Sequence, residues 1–281
     1  MFSFVLEIVA EAEKKAAGGA TLTHVLPPLR KLGLDDFGLL FLSMPNSLWP
    51  NLSRILPRMA DKNVQERFTG SSGIELFRQT AIFVRQLENN FVRESRTSLR
   101  DKQILDFGCG YGRLIRMMYY FSSPSQLIAV DAEETPLRIC KDDGVEAHFV
   151  NTKHIPTSIP IRDGSVDLAY AYSVFTHLPK YAAEACLNAV KAALKPGGLF
   201  VVTVCPVELW TQGGIAERGE AQALIRQHNV EGFAHRPHEI HKHYGWSTVK
   251  FDFFHQCGWS VVGYDTSLTA PLQVILTLRR T

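Results

Sequence analysis

Asp106, Gly108, Gly110, Gly112 and Asp131 are the residues whose types and spacing first suggest chemistry. Asp106 follows the short apolar pair Ile104 and Leu105, and the three glycines come after it at every second position. Nineteen residues past Gly112, the apolar run 127–130 ends in a second acid, Asp131. Glycine admits positive φ and lets a ligand lie against main-chain N–H groups. A glycine turn with an acid at the tip of the next strand is how open α/β sheets hold a nucleoside, the carboxylate taking the ribose hydroxyls.

The spacing separates two kinds of nucleoside. Dinucleotide-binding turns read G-x-G-x-x-G and rest a pyrophosphate on a helix N-terminus. Here the turn reads G-x-G-x-G, with Asp106 two residues before its first glycine. A carboxylate there repels a pyrophosphate and suits a ligand bearing an ammonium and a sulfonium, which is S-adenosyl-L-methionine. The stretch 104–113 resembles the first motif of the class I (Rossmann-like, seven-stranded) S-adenosylmethionine-dependent methyltransferase family, and the chain is similar to its bacterial small-molecule members.

The resemblance implies roles residue by residue. Asp106, Gly108 and Gly110 line the methionine half of the cofactor, Asp131 binds both ribose hydroxyls, and Ala132 lies against the adenine. Asn151 and Thr152 fall where the family contacts adenine, often with an acid nearby, so the asparagine is a departure. Ser173 stands at the carboxyl end of the fourth strand, where such sheets place ligands. The stretch 67–79 resembles one bacterial subgroup in which an arginine and a glycine approach the methionine end, here Arg67 and Gly70. Cys109 matches a position where cysteine is frequent and reads as a small packing residue.

Methyl transfer from a sulfonium is an in-line displacement whose leaving group departs neutral, so positioning and water exclusion matter more than acid–base groups. Segments 162–179 and 195–204 resemble the family's fourth and fifth strands with their flanking loops. His177 follows the fourth strand and either meets the substrate and relays its proton or orders the loop and caps the next helix. The insertion 206–250 is where this fold commonly keeps acceptor specificity. It holds His228, His235, His238, His241 and His243, without the helical H-x-x-x-H spacing or nearby cysteines of a metal site. These read as a polar lid with one substrate-facing ring or as solvated loop residues, and no metal is expected. Tyr244 and Trp246 offer an aromatic wall to an acceptor or to the interior.

The acceptor class is narrowed by absences. The N/D-P-P-Y/F motif of amide- and adenine-directed enzymes is replaced by Tyr172-Ser173-Val174-Phe175, and Cys205 is a lone candidate for the paired cysteines of certain RNA-directed ones. A small-molecule acceptor with a hydroxyl, amine or carboxylate remains, and the resemblance at 67–79 points to a sugar or polysaccharide precursor. An NAD(P)-binding Rossmann oxidoreductase and a cofactor-binding module without turnover stay open as alternatives.

The elements that must position these residues alternate from about residue 102. Strand-like runs occupy 103–107, 126–131, 145–150, 166–172, 199–204, 259–264 and 273–278, with helical stretches at 113–121, 135–143 and 180–194 between them. The last two strands are joined by too short a gap for a crossover helix, so they pair antiparallel. The expected fold class is therefore α/β: a doubly wound, seven-stranded, mostly parallel sheet with an antiparallel last strand and an N-terminal helical extension. Residues 1–100 form that extension and 101–281 the cofactor-binding domain. Residues 74–92 carry an apolar stripe of helical period, with Ser72 and Glu75 spaced as a capping box.

Composition is that of a globular protein: 46% hydrophobic, 21% charged, net charge +2 among 281 residues. So small a charge gives no electrostatic case for nucleic acid. No apolar run approaches the ~20 residues of a membrane span. The start lacks a basic leader, and the five cysteines are odd in number and scattered, so reduced thiols in a cytoplasmic protein are expected. Oligomeric state is not encoded in these features.

Overall fold

The computed structural model describes residues 3–212, 214–239, 244–267 and 270–280. The chain divides into two compact units, residues 1–89 with 97–151 and residues 90–96 with 152–281.

Among the described residues, six helices precede the first strand: α1 (Ser3–Ala17), α2 (Leu22–Leu29), α3 (Leu34–Leu42), α4 (Leu52–Ile55), α5 (Lys62–Thr69) and α6 (Gly73–Ser95). In α6 the stripe of Phe77, Ala81, Val84, Leu87 and Phe91 is buried as its period demands, while Ile74 at the start is exposed. The expected capping box does not form. Gly70 ends α5 in a left-handed conformation, and Gln65 of that helix reaches forward to accept the Gly73 N–H (3.0 Å). Ser72 then donates to Glu66 (3.0 Å), and Glu75 pairs with Arg78.

The first unit continues as β1 (Ile104–Phe107), α7 (Arg113–Met118), β2 (Leu127–Asp131), α8 (Glu134–Asp142) and β3 (His148–Asn151). These strands are parallel, with Asp106 opposite Ala129 and Asp131 opposite Asn151. Every residue of β1, and Leu127, Ile128, Ala129 and Val130 of β2, are buried. That is why β2 reads as a continuous apolar run up to Asp131, and β1 is apolar except at Asp106, rather than alternating. Each such aliphatic side chain contributes about 1.5–3 kcal/mol over its exposed state. Arg116 of α7 is fully buried, donating to the Arg58 and Tyr111 carbonyls and to Asp143. It thereby fixes the helix that follows the glycine turn.

The second unit holds β4 (Val166–Ala171), α9 (Lys180–Ala193), β5 (Leu194–Val204), α10 (Leu209–Gln212), α11 (Arg218–Glu231), β6 (Phe233–Pro237), β7 (Gly245–Val249), α12 (Phe251–Gln256), β8 (Trp259–Thr266) and β9 (Val274–Arg280). Strand β5 begins at Leu194, earlier than the apolar run predicts, because Val166 already pairs with Leu194 before a register shift. Strands β4 and β5 are parallel, whereas β9 is antiparallel to both β5 and β8. The sheet order is β3-β2-β1-β4-β5-β9-β8, the seven-stranded, mostly parallel arrangement that the sequence predicts. Strands β6 and β7 form a separate antiparallel pair inside the insertion. No helix among the described residues is long and apolar enough to cross a membrane.

Candidate functional site

In the first unit the glycine turn leaves β1 with Gly108, Gly110 and Gly112 all at positive φ (80°, 53° and 76°). The three are not equivalent. A Cβ on Gly112 would lie 2.9 Å from the Cys140 thiol and 3.2 Å from the Arg116 guanidinium, so this glycine admits close packing of α8 and α7. A Cβ on Gly110 would meet only the ring of Phe68, at 4.0 Å. Gly110 therefore presents an open face where Gly112 does not.

The turn's N–H groups are largely spent inside the protein. Gly108 and Cys109 both donate to the Val130 carbonyl (2.8 and 3.0 Å), Gly112 to the Cys109 carbonyl (3.0 Å), and Gly110 to Asp131 Oδ2 (2.9 Å). The expectation of a ligand lying against these N–H groups is corrected on this point. Two carboxylates stand beside the turn on its strand side, with the Arg116 guanidinium on its Gly112 side. Asp106 is buried at the tip of β1, and its carboxylate and that of Asp131 help to push the Cys109 thiol well above its ordinary range, after contact with Cys140 and burial. Such a turn offers a pyrophosphate few donors and a cation a favourable field.

Asp131 itself accepts two N–H bonds, from Gly110 on one oxygen and from Glu133 on the other (3.0 Å). Burial raises its pKa, and the N–H groups of Glu133, Gly110 and Ala132 oppose that shift. Each carboxylate oxygen has a second lone pair, so the group is fixed in position and has capacity for two hydroxyl donors. Asn151 donates its amide to the Asp131 carbonyl (3.1 Å), which ties the ends of β2 and β3. Ala132 is half-buried directly beyond Asp131. These residues fit the nucleoside and the positively charged amino-acid end of S-adenosylmethionine.

Of the two residues carried over from 67–79, Gly70 is the left-handed C-cap of α5 and Arg67 is exposed on its last turn. The residue of that segment that closes on the glycine turn is Phe68, partly exposed, with its ring edge-on to Tyr111 (5.7 Å between centroids). No sequence signal separated Phe68 from its neighbours, since one aromatic at a helix end has no periodic mark.

In the second unit Ser173 follows β4 at φ 58°, a left-handed conformation that costs a non-glycine residue on the order of 1 kcal/mol. Thr203 of β5 and Gln273 hold it there: the Ser173 N–H donates to Thr203 Oγ1 (2.7 Å), and the Gln273 amide donates to Ser173 Oγ (2.9 Å). Thr152 is half-buried at the start of this unit's main segment.

His177 does not cap α9; that position belongs to Pro179. Its Nδ1 is 2.8 Å from the Gly245 carbonyl, the Gly245 N–H returns to the His177 carbonyl (3.0 Å), and its ring packs on Trp246 (4.7 Å between centroids). A carbonyl only accepts, so Nδ1 carries the proton. Burial pulls the His177 pKa below its ordinary value, leaving the ring neutral at pH 7 with a lone pair on Nε2. Tyr244 bonds through its hydroxyl to His154 Nδ1 (2.9 Å). Trp246 also borders an apolar cluster containing Leu209, Trp210 and Leu224, the interior one of its two expected roles.

The histidines of the insertion have distinct fates. His228 is a buried α11 residue bonded to Thr248 (2.9 Å), His235 stands on β6, and His238 is exposed; His241 and His243 lie outside the described residues. His235, His154, Ser247 and Gln273 were not singled out from the sequence as site residues. The alternation around His235 and Ser247 is a strand signal that the polar composition of the segment hides. Burial pushes the Cys205 thiol up to about 12, so it supplies no thiolate nucleophile near neutral pH.

Known proteins share sequence or fold with this chain. Residues 105–202 match the family described as "Methyltransferase domain". A ubiquinone biosynthesis O-methyltransferase of Marinobacter nauticus is 31% identical over 128 residues, 43% of this chain and 51% of that protein. O-methyltransferase 3 of Dictyostelium discoideum is 23% identical over 131 residues, 42% of this chain and 30% of that protein. The chain thus spans about half or less of the length of these curated relatives. Among solved structures, the 1,6-didemethyltoxoflavin-N1-methyltransferase of Burkholderia thailandensis shares the fold at TM-score 0.50 and 16% identity, covering 80% of this chain and 94% of that one. An S-adenosylmethionine-dependent methyltransferase from Clostridium acetobutylicum does so at TM-score 0.50 and 10% identity, covering 77% and 96%.

Proposed function

We propose that this chain, whose residues 105–202 match a methyltransferase-domain family, is an S-adenosylmethionine-dependent methyltransferase acting on a small molecule through oxygen or nitrogen. The observation that carries the reading is the Asp131 carboxylate, fixed by the N–H groups of Gly110 and Glu133 beside a turn whose own donors are engaged. That combination suits ribose hydroxyls and a cationic ligand and disfavours the pyrophosphate of a dinucleotide. Asp106, Gly108 and Gly110 take the methionine end, Asp131 the ribose, and Ala132, Asn151 and Thr152 the adenine; Ser173 lines the same ligand. Phe68, rather than Arg67 or Gly70, covers the turn.

S-adenosylmethionine supplies a methyl group already activated by its sulfonium, which becomes a neutral thioether as the acceptor loses a proton. His177 is the group assigned to that proton: its Nδ1–H is committed to Gly245, and Nε2 is its basic atom. Tyr244 and Trp246 form the acceptor wall. A sugar or polysaccharide precursor is one small molecule of the required chemistry, and an intermediate of ubiquinone biosynthesis, the process named for the Marinobacter relative, is another. The free cysteines fit a cytoplasmic location.

Isothermal titration tests the reading. S-adenosylhomocysteine is expected to bind, with NAD and NADP showing no heat; the reverse outcome restores the oxidoreductase alternative. A labelled-methyl assay over pooled metabolites then separates an enzyme from a module that binds without turnover.

A further inference from the structure

Among the described histidines of the insertion, His235 is the one that is aligned by its neighbours yet has a buried nitrogen with no bond. Ser247, directly across the β6–β7 pair, donates its hydroxyl proton to the Leu178 carbonyl (2.6 Å). A serine hydroxyl has one proton, so the 2.8 Å contact between Ser247 Oγ and His235 Nδ1 is a donation from the ring. His235 is thereby held as the Nδ1–H tautomer, and its Nε2 becomes an acceptor. That Nε2 is buried and makes no hydrogen bond among the described residues. A buried acceptor without a donor is costly and rare unless something else supplies the donor.

His177 repeats the arrangement from another segment. Its Nδ1–H is spent on the Gly245 carbonyl, and no described residue bonds to its Nε2. Gly245 is where the two rings come together: its carbonyl holds His177, and a Cβ added to it would lie 2.7 Å from His235 Cε1 and 1.9 Å from the Arg236 carbonyl. Only glycine allows both rings this close to one stretch of main chain. Burial and the neighbouring His177 both lower the His235 pKa, so the second ring, like the first, is neutral.

We infer that His235 is a second acceptor-binding residue, and that the Nε2 atoms of His235 and His177 together select an acceptor presenting adjacent hydrogen-bond donors, hydroxyl or amine, over a carboxylate. The inference rests on the methyltransferase reading and narrows its acceptor class. Two lone pairs attract O–H or N–H groups. A carboxylate brings only further lone pairs and a negative charge, and no cation in this pair offsets them.

The test is long-range 1H–15N NMR on the full chain saturated with S-adenosylhomocysteine, the two rings assigned through H177Q and H235Q. Both rings are expected as Nδ1–H tautomers. Catechol, a probe with two adjacent hydroxyls, should move both Nε2 resonances, while benzoate at equal concentration moves neither. An Nε2–H tautomer at His235, a benzoate response as large as that to catechol, or a catechol response missing from either ring overturns the inference. In parallel, H235F and H235N should each weaken catechol binding at least tenfold. The asparagine keeps a donor toward Ser247, so wild-type affinity in H235N would show that the ring only braces the hairpin and would overturn the inference. Titration with S-adenosylhomocysteine keeps the two claims apart. No binding to the unmodified chain defeats the methyltransferase reading, whereas normal binding beside any overturning result above defeats this inference alone.

Discussion

The glycine turn after β1 and the β6–β7 pair achieve rigidity by opposite means. The turn is built from main chain: Gly108, Cys109, Gly110 and Gly112 all direct their N–H groups inward, and one side chain, Asp131, is locked by two of the unit's N–H groups. The β6–β7 pair is built from side chains whose protons are assigned in relay, His235 to Ser247 to the Leu178 carbonyl, with His177 on the Gly245 carbonyl. A main-chain site recognises what every ligand of one class shares. A relay of side chains can be retuned by single substitutions, and this is where an acceptor preference belongs.

Substitutions can break that contrast, and the largest effect is expected at His177. Replacing it by alanine should lower turnover about 10²–10⁴-fold, the usual range for a lost general base, with S-adenosylhomocysteine affinity nearly unchanged. Unaltered turnover would remove His177 from the proton path. Gly245→Ala comes next. Its Cβ would lie 1.9 Å from the Arg236 carbonyl, so chemical denaturation should show a loss of about 3 kcal/mol or more, and wild-type stability would show that the strands part easily. On the other side of the comparison, Asp131→Ala should weaken S-adenosylhomocysteine by about 1–3 kcal/mol in calorimetry, because two charge-assisted bonds are lost. Equal affinity would show the ribose assignment to be mistaken. Phe68→Ala should weaken the same ligand by less, about 1 kcal/mol, through lost apolar cover of the turn; no change would leave Phe68 as packing for Tyr111.

Acid sharpens the contrast as well. The pKa values of His177, His228 and His235 are lowered in the folded chain, in each case first by burial. Below their ordinary value of about 6.5 the unfolded chain takes up protons before the folded one does. The stability these neutral rings allow is complete above that pH and is lost as pH falls through the depressed folded values. The melting temperature should therefore drop between pH 7.5 and 5.5, and by less in H228Q if His228 shares the load. A flat profile over that range would mean that the rings protonate without disturbing their bonds.

How much of this was readable beforehand follows from how local each feature is. The 104–113 motif, the seven strand runs and the antiparallel close were legible because they are contiguous: a buried strand must be apolar throughout, and a positive-φ turn must use glycine. The capping box at Ser72 and Glu75 was read from spacing alone and failed, since the Ser72 hydroxyl turns to Glu66 and the Glu75 carboxylate to Arg78. Likewise, His177 looked like a helix-capping candidate until Gly245, 68 residues away in sequence, claimed its ring.

The sequence by itself determined the sheet, the glycine turn and the acid beyond it, because hydrophobic period and backbone conformation restrict which residues fit at each step. Tertiary structure alone decided which glycine stays open, which aromatic covers it, and which nitrogen of each histidine carries the proton. Those properties depend on single hydrogen bonds between segments far apart in the chain, and a carbonyl or a hydroxyl several dozen residues away leaves no trace in the local pattern.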